Sequence, residues 1–156
     1  MQKLGLLIFS IVIVQLAGAV GAIFTSSSVS TWYAGVNKPV FNPPNWIFGP
    51  VWTMLFLLMG IALYLVLVNG WGYNGVKIAV LIFTIHFALN ILWSFLFFGL
   101  QNPFFAFIEI IILAISIILT MYFFYRVSPP AMYLLIPYIF WVSFASILNF
   151  SIWRLN

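Results

Sequence analysis

The chain has 156 residues, of which 66% are hydrophobic and only 4% are charged. A soluble domain carries roughly 25% charged residues, so this composition excludes a soluble protein. The net charge of +4 comes from basic residues spread singly along the chain, which excludes a nucleic-acid-binding patch, and the absence of cysteine excludes disulfides and thiolate metal sites.

Long apolar intervals between the charged residues predict five membrane-spanning helices, since one span needs about 20 apolar residues. In chain order they cover residues 4–24, 46–68, 77–98, 103–125 and 131–153. The first run is longer than the apolar core of a signal peptide, so we interpret it as a retained helix. We therefore predict an all-α integral membrane protein in which residues 1–156 form a single five-helix bundle.

The connection between the first two spans, residues 25–45, is the longest in the chain. Connections of about 20 residues are well beyond the usual loop between helices and are typical of lids and binding loops. We call the end of the bundle that this loop covers the lid side. Lys3, Lys77 and Arg126 fall on the opposite side, which by the positive-inside rule places the N-terminus in the cytoplasm.

Polar side chains inside the spans mark the functional face, because in lipid they must face the bundle interior or a cavity. Residues spaced by i, i+4, i+7 and i+11 share one helix face. Such rows are His86, Asn90, Trp93 and Phe97 on the third span, Trp52, Phe56 and Met59 on the second, Trp141, Ala145 and Leu148 on the fifth, and Phe105, Glu109, Ile112 and Ser116 on the fourth. Small residues of the first span, at 17, 18, 21 and 22, favour tight packing, a dimer seam or space for a ligand.

Each polar residue in these rows has a structural alternative. We expect His86 to form a hydrogen bond between helices rather than to carry protons or bind haem, because the chain has no second histidine and no cysteine. Asn90 either joins two helices or binds a ligand. We expect Glu109 to form an ion pair with Lys38 or Arg154, since an acidic side chain within a span needs a partner.

Aromatic residues make up 21% of the chain, too many for the belts at the two membrane surfaces alone. Their rings suit flat, apolar, extended ligands such as a tetrapyrrole or a sterol, because aromatic pairs add about 0.5 to 1.5 kcal/mol beyond area burial. The pattern therefore predicts an aromatic pocket beneath a lid, with no metal and no required cofactor.

Motifs rich in Trp, Pro and Asn recur in all five spans and in the lid loop. They are Trp32-Tyr33-Ala34-Gly35, Lys38-Pro39, Pro43-Pro44, Phe48-Gly49-Pro50-Val51-Trp52, Ala88-Leu89-Asn90 with Trp93, Phe97-Phe98-Gly99, Pro137-Tyr138 with Trp141, and Ala145 and Asn149 with Trp153-Arg154. Together they resemble the signature of the TspO/MBR family, the tryptophan-rich sensory proteins of bacteria and the mitochondrial translocator protein, or peripheral benzodiazepine receptor.

The resemblance implies a five-helix bundle, commonly a homodimer, that binds porphyrins such as protoporphyrin IX and benzodiazepine-site drugs. It places the ligand-binding positions at Tyr33, Trp52, Asn90, Trp93, Trp141, Ala145 and Leu148, and the row on the second span adds Phe56. The animal sterol motif requires a Tyr that residues 147–154 lack, so strong cholesterol binding is not expected. With no cysteine, the chain resembles a bacterial member, which implies a bacterial cell membrane.

The first hypothesis is therefore a porphyrin-binding membrane protein in which Asn90 donates a hydrogen bond to a ligand carbonyl or carboxylate. Some bacterial relatives degrade porphyrin in light, which implies that excited porphyrin reacts with oxygen or with indole, and Trp52 and Trp141 are the provisional catalytic residues. Whether the chain is an enzyme is left open. The alternatives are a transporter of porphyrin or other hydrophobic cargo, and a stress sensor that acts through contacts with other membrane proteins.

Overall fold

The computed structural model describes residues 2–156, with side chains from residue 3 onward, and its regular structure is helical. The α-helices are α1 (Gln2–Val29), α2 (Trp32–Gly35), α3 (Phe48–Leu67), α4 (Val76–Ser94), α5 (Pro103–Val127), α6 (Pro129–Tyr133) and α7 (Ile136–Leu155). A 3₁₀ turn, Asn45–Ile47, precedes α3, and a π-helical turn, Phe95–Gly99, follows α4. Five helical segments are long and apolar enough to span a membrane, which confirms the predicted all-α class.

The first helix is longer than predicted, because α1 continues to Val29 through three serines that we expected in the loop. Ser26 Oγ donates to the carbonyl oxygen of Ile23, and Ser27 Oγ donates to that of Phe24. These bonds satisfy the hydroxyl groups within the helix, so a serine run does not break it. The lid is therefore shorter than residues 25–45 and itself contains α2.

The last span is broken into two helices at Leu134 and Leu135. Pro137 lies in the first turn of α7. Proline has no backbone N–H, and its ring clashes with the carbonyl group four residues earlier, so α6 cannot run on through it. Proline is accepted at the start of a new helix, which is where α7 places it.

The spanning helices form a closed ring. Helix α1 packs against α3 and α4, α4 packs against α5, and α5 packs against α7. Helix α3 closes the ring by packing against α6 and through ring contacts of Phe48 with Trp141 and of Trp52 with Tyr138. The seam between α3 and α7 therefore includes contacts between aromatic rings.

The closest approach of two helices lies in the half of the bundle away from the lid. A Cβ atom on Gly60 of α3 would lie 2.7 Å from Cα of Ile11 and 3.2 Å from the carbonyl oxygen of Ser10. Only glycine permits such contact between backbones. Towards the lid side, α1 leaves room beside α3 and α4.

Two sets of hydrogen bonds hold the lid in place. Tyr33 is buried, and its hydroxyl donates to Oδ1 of Asn42 at 2.7 Å. The backbone of Asn37 exchanges two hydrogen bonds of 3.0 Å with the side chain of Asn156, and Asn37 Nδ2 donates to the carbonyl oxygen of Leu155. We call the contact between Asn37 and residues 155–156 the lid clasp.

Candidate functional site

A cavity lies directly beneath the lid, among α1, α2, α3, α7 and the lid-side end of α4. Its lining residues are Thr25, Val29, Tyr33, Phe48, Trp52, Trp93, Phe97, Phe98, Trp141, Ala145, Leu148, Asn149 and Ile152. The wall is almost entirely apolar and aromatic, as in most small-molecule sites. The free space amounts to only about 40 Å³.

Six of the eight residues predicted to bind ligand line this cavity: Tyr33, Trp52, Trp93, Trp141, Ala145 and Leu148. The other two, Phe56 and Asn90, line an adjoining groove among α1, α3 and α4, which Trp52 also lines. The structure thus brings the eight residues to two neighbouring spaces that share one tryptophan.

Trp93 is fixed in place by stacking and by hydrogen bonding. Its ring stacks on Phe97, with centroids 5.3 Å apart, and its Nε1 donates to Oδ1 of Asn149 at 3.0 Å. Asn149 Nδ2 donates in turn to the carbonyl oxygen of Pro103 at 2.7 Å. Trp93 is therefore a rigid part of the wall, tied through Asn149 to the first turn of α5.

Trp141 differs from Trp93 in the hydrogen bonding of its indole N–H. The ring packs against Phe48 and Phe144, with centroids 6.0 and 5.5 Å apart. Its Nε1 is buried and has no hydrogen-bond partner among the described residues. A buried N–H without a partner costs about 1 to 3 kcal/mol, so a bound acceptor at this position would recover that energy.

Trp52 lies between the cavity and the adjoining groove. Its ring stacks on Phe56, with centroids 5.5 Å apart, and meets the ring of Tyr138 edge-on at 6.2 Å. It lines both spaces. Trp52 therefore borders both spaces, together with Thr25 and Phe48.

Asn90 and His86 form hydrogen bonds between helices. Asn90 Nδ2 donates to the hydroxyl of Tyr138 at 3.0 Å, which joins α4 to α7. His86 Nδ1 lies 3.1 Å from Oγ1 of Thr120, which joins α4 to α5, as predicted. Among the described residues, no group of three or more His, Cys, Asp or Glu could hold a metal ion.

The prediction that Glu109 forms an ion pair is wrong. Both carboxyl oxygens are buried without a hydrogen-bond partner in the described chain. Lys38 Nζ instead donates to the carbonyl oxygens of Ala34 and Val36. The two side chains do not meet, because Glu109 faces the bundle interior while Lys38 lies in the lid.

The predicted row on the fourth span is only half correct. Glu109 and Ser116 are buried, whereas Phe105 and Ile112 are 55% and 51% exposed. Rows of this spacing cover a strip about 60° wide. The buried face of α5 is centred on Leu113, so the strip lies along its edge.

Several lining residues were missed by sequence reasoning. Phe48 lies four residues before Trp52 and thus on the same helix face, a signal that could have found it. Thr25 and Val29 were missed because we expected them in the loop. Phe98 faces inward because it lies in the π-helical turn, where Ser28 Oγ donates to its carbonyl oxygen at 2.7 Å.

Tyr33 forms the roof of the cavity. Its ring contacts Phe97 and Phe98, with centroids 6.1 and 5.7 Å away, and Lys38 Nζ lies 4.8 Å from its ring centroid. Burial raises the pKa of Tyr33 from 10.0 to about 12. The hydroxyl is therefore neutral at physiological pH and remains a hydrogen-bond donor to Asn42.

Comparison with known proteins shows similarity along nearly the whole chain. The sequence profile of the TspO/MBR family matches residues 10–154. The tryptophan-rich protein TspO of Archaeoglobus fulgidus is 50% identical over 150 residues, which are 96% of each chain.

More distant relatives carry other names. The translocator protein of Homo sapiens is 36% identical over 138 residues, 88% of this chain and 82% of that protein. Protein CrtK of Rhodobacter capsulatus is 37% identical over 143 residues, 90% of this chain and 86% of that protein. The similarity extends over the lid, the cavity and the groove, and five apolar spans accompany it.

Proposed function

The chain belongs to the TspO/MBR family of multi-pass integral membrane proteins, and from this premise we propose that it is a receptor for porphyrins in the cavity beneath the lid. Protoporphyrin IX is the expected ligand, and other flat hydrophobic molecules of the benzodiazepine-site type are expected to compete with it.

The observation that carries the proposal is the unpaired indole N–H of Trp141 in an aromatic wall. Indole rings stack favourably on a conjugated macrocycle, and three of them line this cavity. One buried donor without a partner favours a ligand that carries an acceptor, such as a carboxylate or carbonyl oxygen.

The charge near the roof also suits a porphyrin. Lys38 lies in the lid, with its Nζ bonded to two carbonyl oxygens and placed over the Tyr33 ring. Carbonyl oxygens do not neutralise an ammonium group, so its charge is available to an anion. Lys38 itself does not line the cavity, so a propionate group would meet this cation where it extends past the Tyr33 ring.

The size of the cavity requires movement upon binding. Sites for drug-sized ligands have volumes of about 300–1,000 Å³, well above the 40 Å³ free here. The groove beyond Trp52 adds about 270 Å³. Binding therefore requires that the Trp52 ring turn aside or that the lid rise.

Light-dependent degradation of the bound porphyrin is the second candidate, favoured by the position of Trp52 and Trp141 on the same wall. Excited porphyrin transfers its energy to dioxygen, and the excited dioxygen adds across a double bond of the macrocycle. Both oxygen atoms then stay in the product, so no reductant is needed. The two indoles would hold the macrocycle in place, so that dioxygen adds at one double bond of the bound porphyrin and gives a single product.

The test is a titration of the purified protein with protoporphyrin IX in dim light, followed by quenching of Trp fluorescence. Trp141→Phe removes the unpaired donor and is expected to weaken binding by about fivefold, the equivalent of about 1 kcal/mol. Trp71→Phe is the matched control, because Trp71 is 58% exposed in the connection on the far side. Equal dissociation constants for the two variants would refute the role of Trp141, and absence of saturable quenching in the wild type would refute the function.

Illumination of the same samples tests the photochemistry. We expect a new absorption spectrum with the wild type and with Trp71→Phe, and simple bleaching with Trp52→Phe and Trp141→Phe. Identical bleaching in all four samples, or product formation in the dark, would leave a porphyrin receptor without light-dependent activity.

A further inference from the structure

The groove among α1, α3 and α4 opens on the outer surface of the bundle, where lipid would lie. Its lining residues are Gln15, Gly18, Ala19, Gly21, Ala22, Thr25, Phe48, Gly49, Trp52, Thr53, Phe56, Asn90 and Ser94. Small residues of α1 form one wall, and Ala19, Ala22 and Thr53 are exposed. The opening exists because α1 touches α3 closely at Gly60 and leaves space nearer the lid.

Polar groups distinguish this groove from its neighbour in the other half of the membrane. That second groove also lies among α1, α3 and α4, and Thr84 supplies the hydroxyl in an otherwise apolar lining. The lid-side groove carries Gln15, Thr53 and Ser94 at its surface and Asn90 at its base. Polar side chains within a span are costly in lipid and mark pathways for polar or amphipathic molecules.

The groove continues into the cavity beneath the lid. Thr25, Phe48 and Trp52 line both spaces, and Trp52 has the largest side chain of the three. Phe56 backs the Trp52 ring, and its own ring packs directly on Gly18, where a Cβ would overlap it. A rotation of the Trp52 ring, which borders both spaces, would join them.

A route past the lid is closed by several contacts. Tyr33 is bonded to Asn42 at the roof, and the lid clasp ties Asn37 to Asn156. Opening the lid breaks the lid clasp and exposes the Phe97 and Phe98 rings beneath Tyr33. A flat apolar ligand also partitions into the bilayer, so it reaches the side of the bundle at a higher concentration than its roof.

We propose that this groove is the lateral entrance through which a flat, amphipathic aromatic ligand passes from the bilayer into the cavity, with Trp52 as the gate between them. The inference rests on the proposed function, since it takes the cavity as the binding site. It adds a route and a gate to that site and leaves the lid as a fixed cover.

The experiment measures binding rates in lipid nanodiscs by stopped-flow quenching of Trp fluorescence. Protoporphyrin IX is the first probe, and pyrene, a flat aromatic molecule without carboxylates, is the second. Ala22→Phe fills the entrance, and Ala88→Phe is the matched control, because Ala88 is exposed on α4 and does not line the groove. In a second variant, Asn37→Cys with Asn156→Cys, a short bismaleimide cross-links the lid clasp, which is selective because the chain has no cysteine.

We expect Ala22→Phe to slow both association and dissociation by about tenfold, as a barrier increase of about 1.4 kcal/mol would, with little change in the dissociation constant. Ala88→Phe and the cross-linked lid should leave both rates within about twofold of the wild type. Unchanged rates with Ala22→Phe, or rates abolished by the cross-link, would overturn the lateral entrance. If pyrene enters through the groove and protoporphyrin IX does not bind, the proposed function fails while the entrance stands; if neither binds the wild type, both fail.

Discussion

Gly60→Ala tests the closest contact between α1 and α3. The added Cβ would lie 2.7 Å from Cα of Ile11, whereas ordinary contacts of this kind begin near 3.4 Å. The two helices must therefore separate by several tenths of an ångström, and overpacking of this kind costs about 1–3 kcal/mol. Alanine in place of a helical glycine returns about 0.5–1 kcal/mol. The expected net loss is about 1 kcal/mol, with an upper limit of about 2.5 kcal/mol.

The assay is reversible unfolding in mixed micelles of increasing SDS fraction, followed by far-ultraviolet circular dichroism. Gly5→Ala is the matched control, because Gly5 lies in α1 and its Cβ would meet no atom within 4 Å. It is expected to gain up to about 1 kcal/mol. If Gly60→Ala and Gly5→Ala had the same free energy of unfolding, the close contact between α1 and α3 at Gly60 would not exist.

Three further predictions concern buried polar groups. Glu109→Met removes two carboxyl oxygens without a partner and is expected to raise the free energy of unfolding in SDS by about 1 kcal/mol or more. Asn149→Leu leaves Trp93 Nε1 and the Pro103 carbonyl oxygen unpaired, so it is expected to lower that free energy by about 1–3 kcal/mol. Because burial raises the pKa of Tyr33 to about 12, its contribution to stability should be complete below pH 10 and decline from pH 10 to 12, as thermal midpoints of the wild type and Tyr33→Phe would measure.

Each of these predictions has a contrary result. A loss of stability in Glu109→Met would mean that the carboxyl group has a stabilising partner, and Glu109→Gln would then identify whether that partner needs the charge. An unchanged Asn149→Leu would mean that Trp93 is held by stacking alone. Equal declines of Tyr33→Phe and the wild type between pH 10 and 12 would assign the effect to other groups.

The inward faces of the third and fifth spans were predictable from the sequence because the spacing of residues on a helix is local, whereas the row on the fourth span was only half correct. His86, Asn90, Trp93 and Phe97 are all buried, as the row on the third span predicts. Trp141, Ala145 and Leu148 likewise line one cavity. The period of a helix fixes which residues share a face, and the cost of polar groups in lipid decides that this face turns inward.

Partners across helices were not predictable. The difference between Trp93, whose N–H is paired with Asn149, and Trp141, whose N–H is unpaired, depends on how α4 and α7 are rotated against each other. Glu109 has no ion pair for another reason, because its side chain on α5 is buried in the bundle while Lys38 lies in the lid. The predicted helix ends were wrong for a different reason. Serines whose hydroxyl groups bond to carbonyl oxygens within the helix allow α1 to continue, and Pro137 interrupts the last span.

Because of the π-helical turn Phe95–Gly99, the shape of the site depends on the number of residues in this turn as well as on their identity. Its carbonyl group at Phe95 accepts from the amide of Leu100 at 2.7 Å, five residues on, so the turn holds one residue more than an α-helical turn. Each residue of a helix advances it by about 100°. Deletion of one residue here would therefore rotate the Phe97 and Phe98 side chains away from the cavity while every remaining residue kept its identity. In related sequences, an alignment gap at this turn would therefore indicate a differently shaped pocket, even where the tryptophans of the cavity are all present.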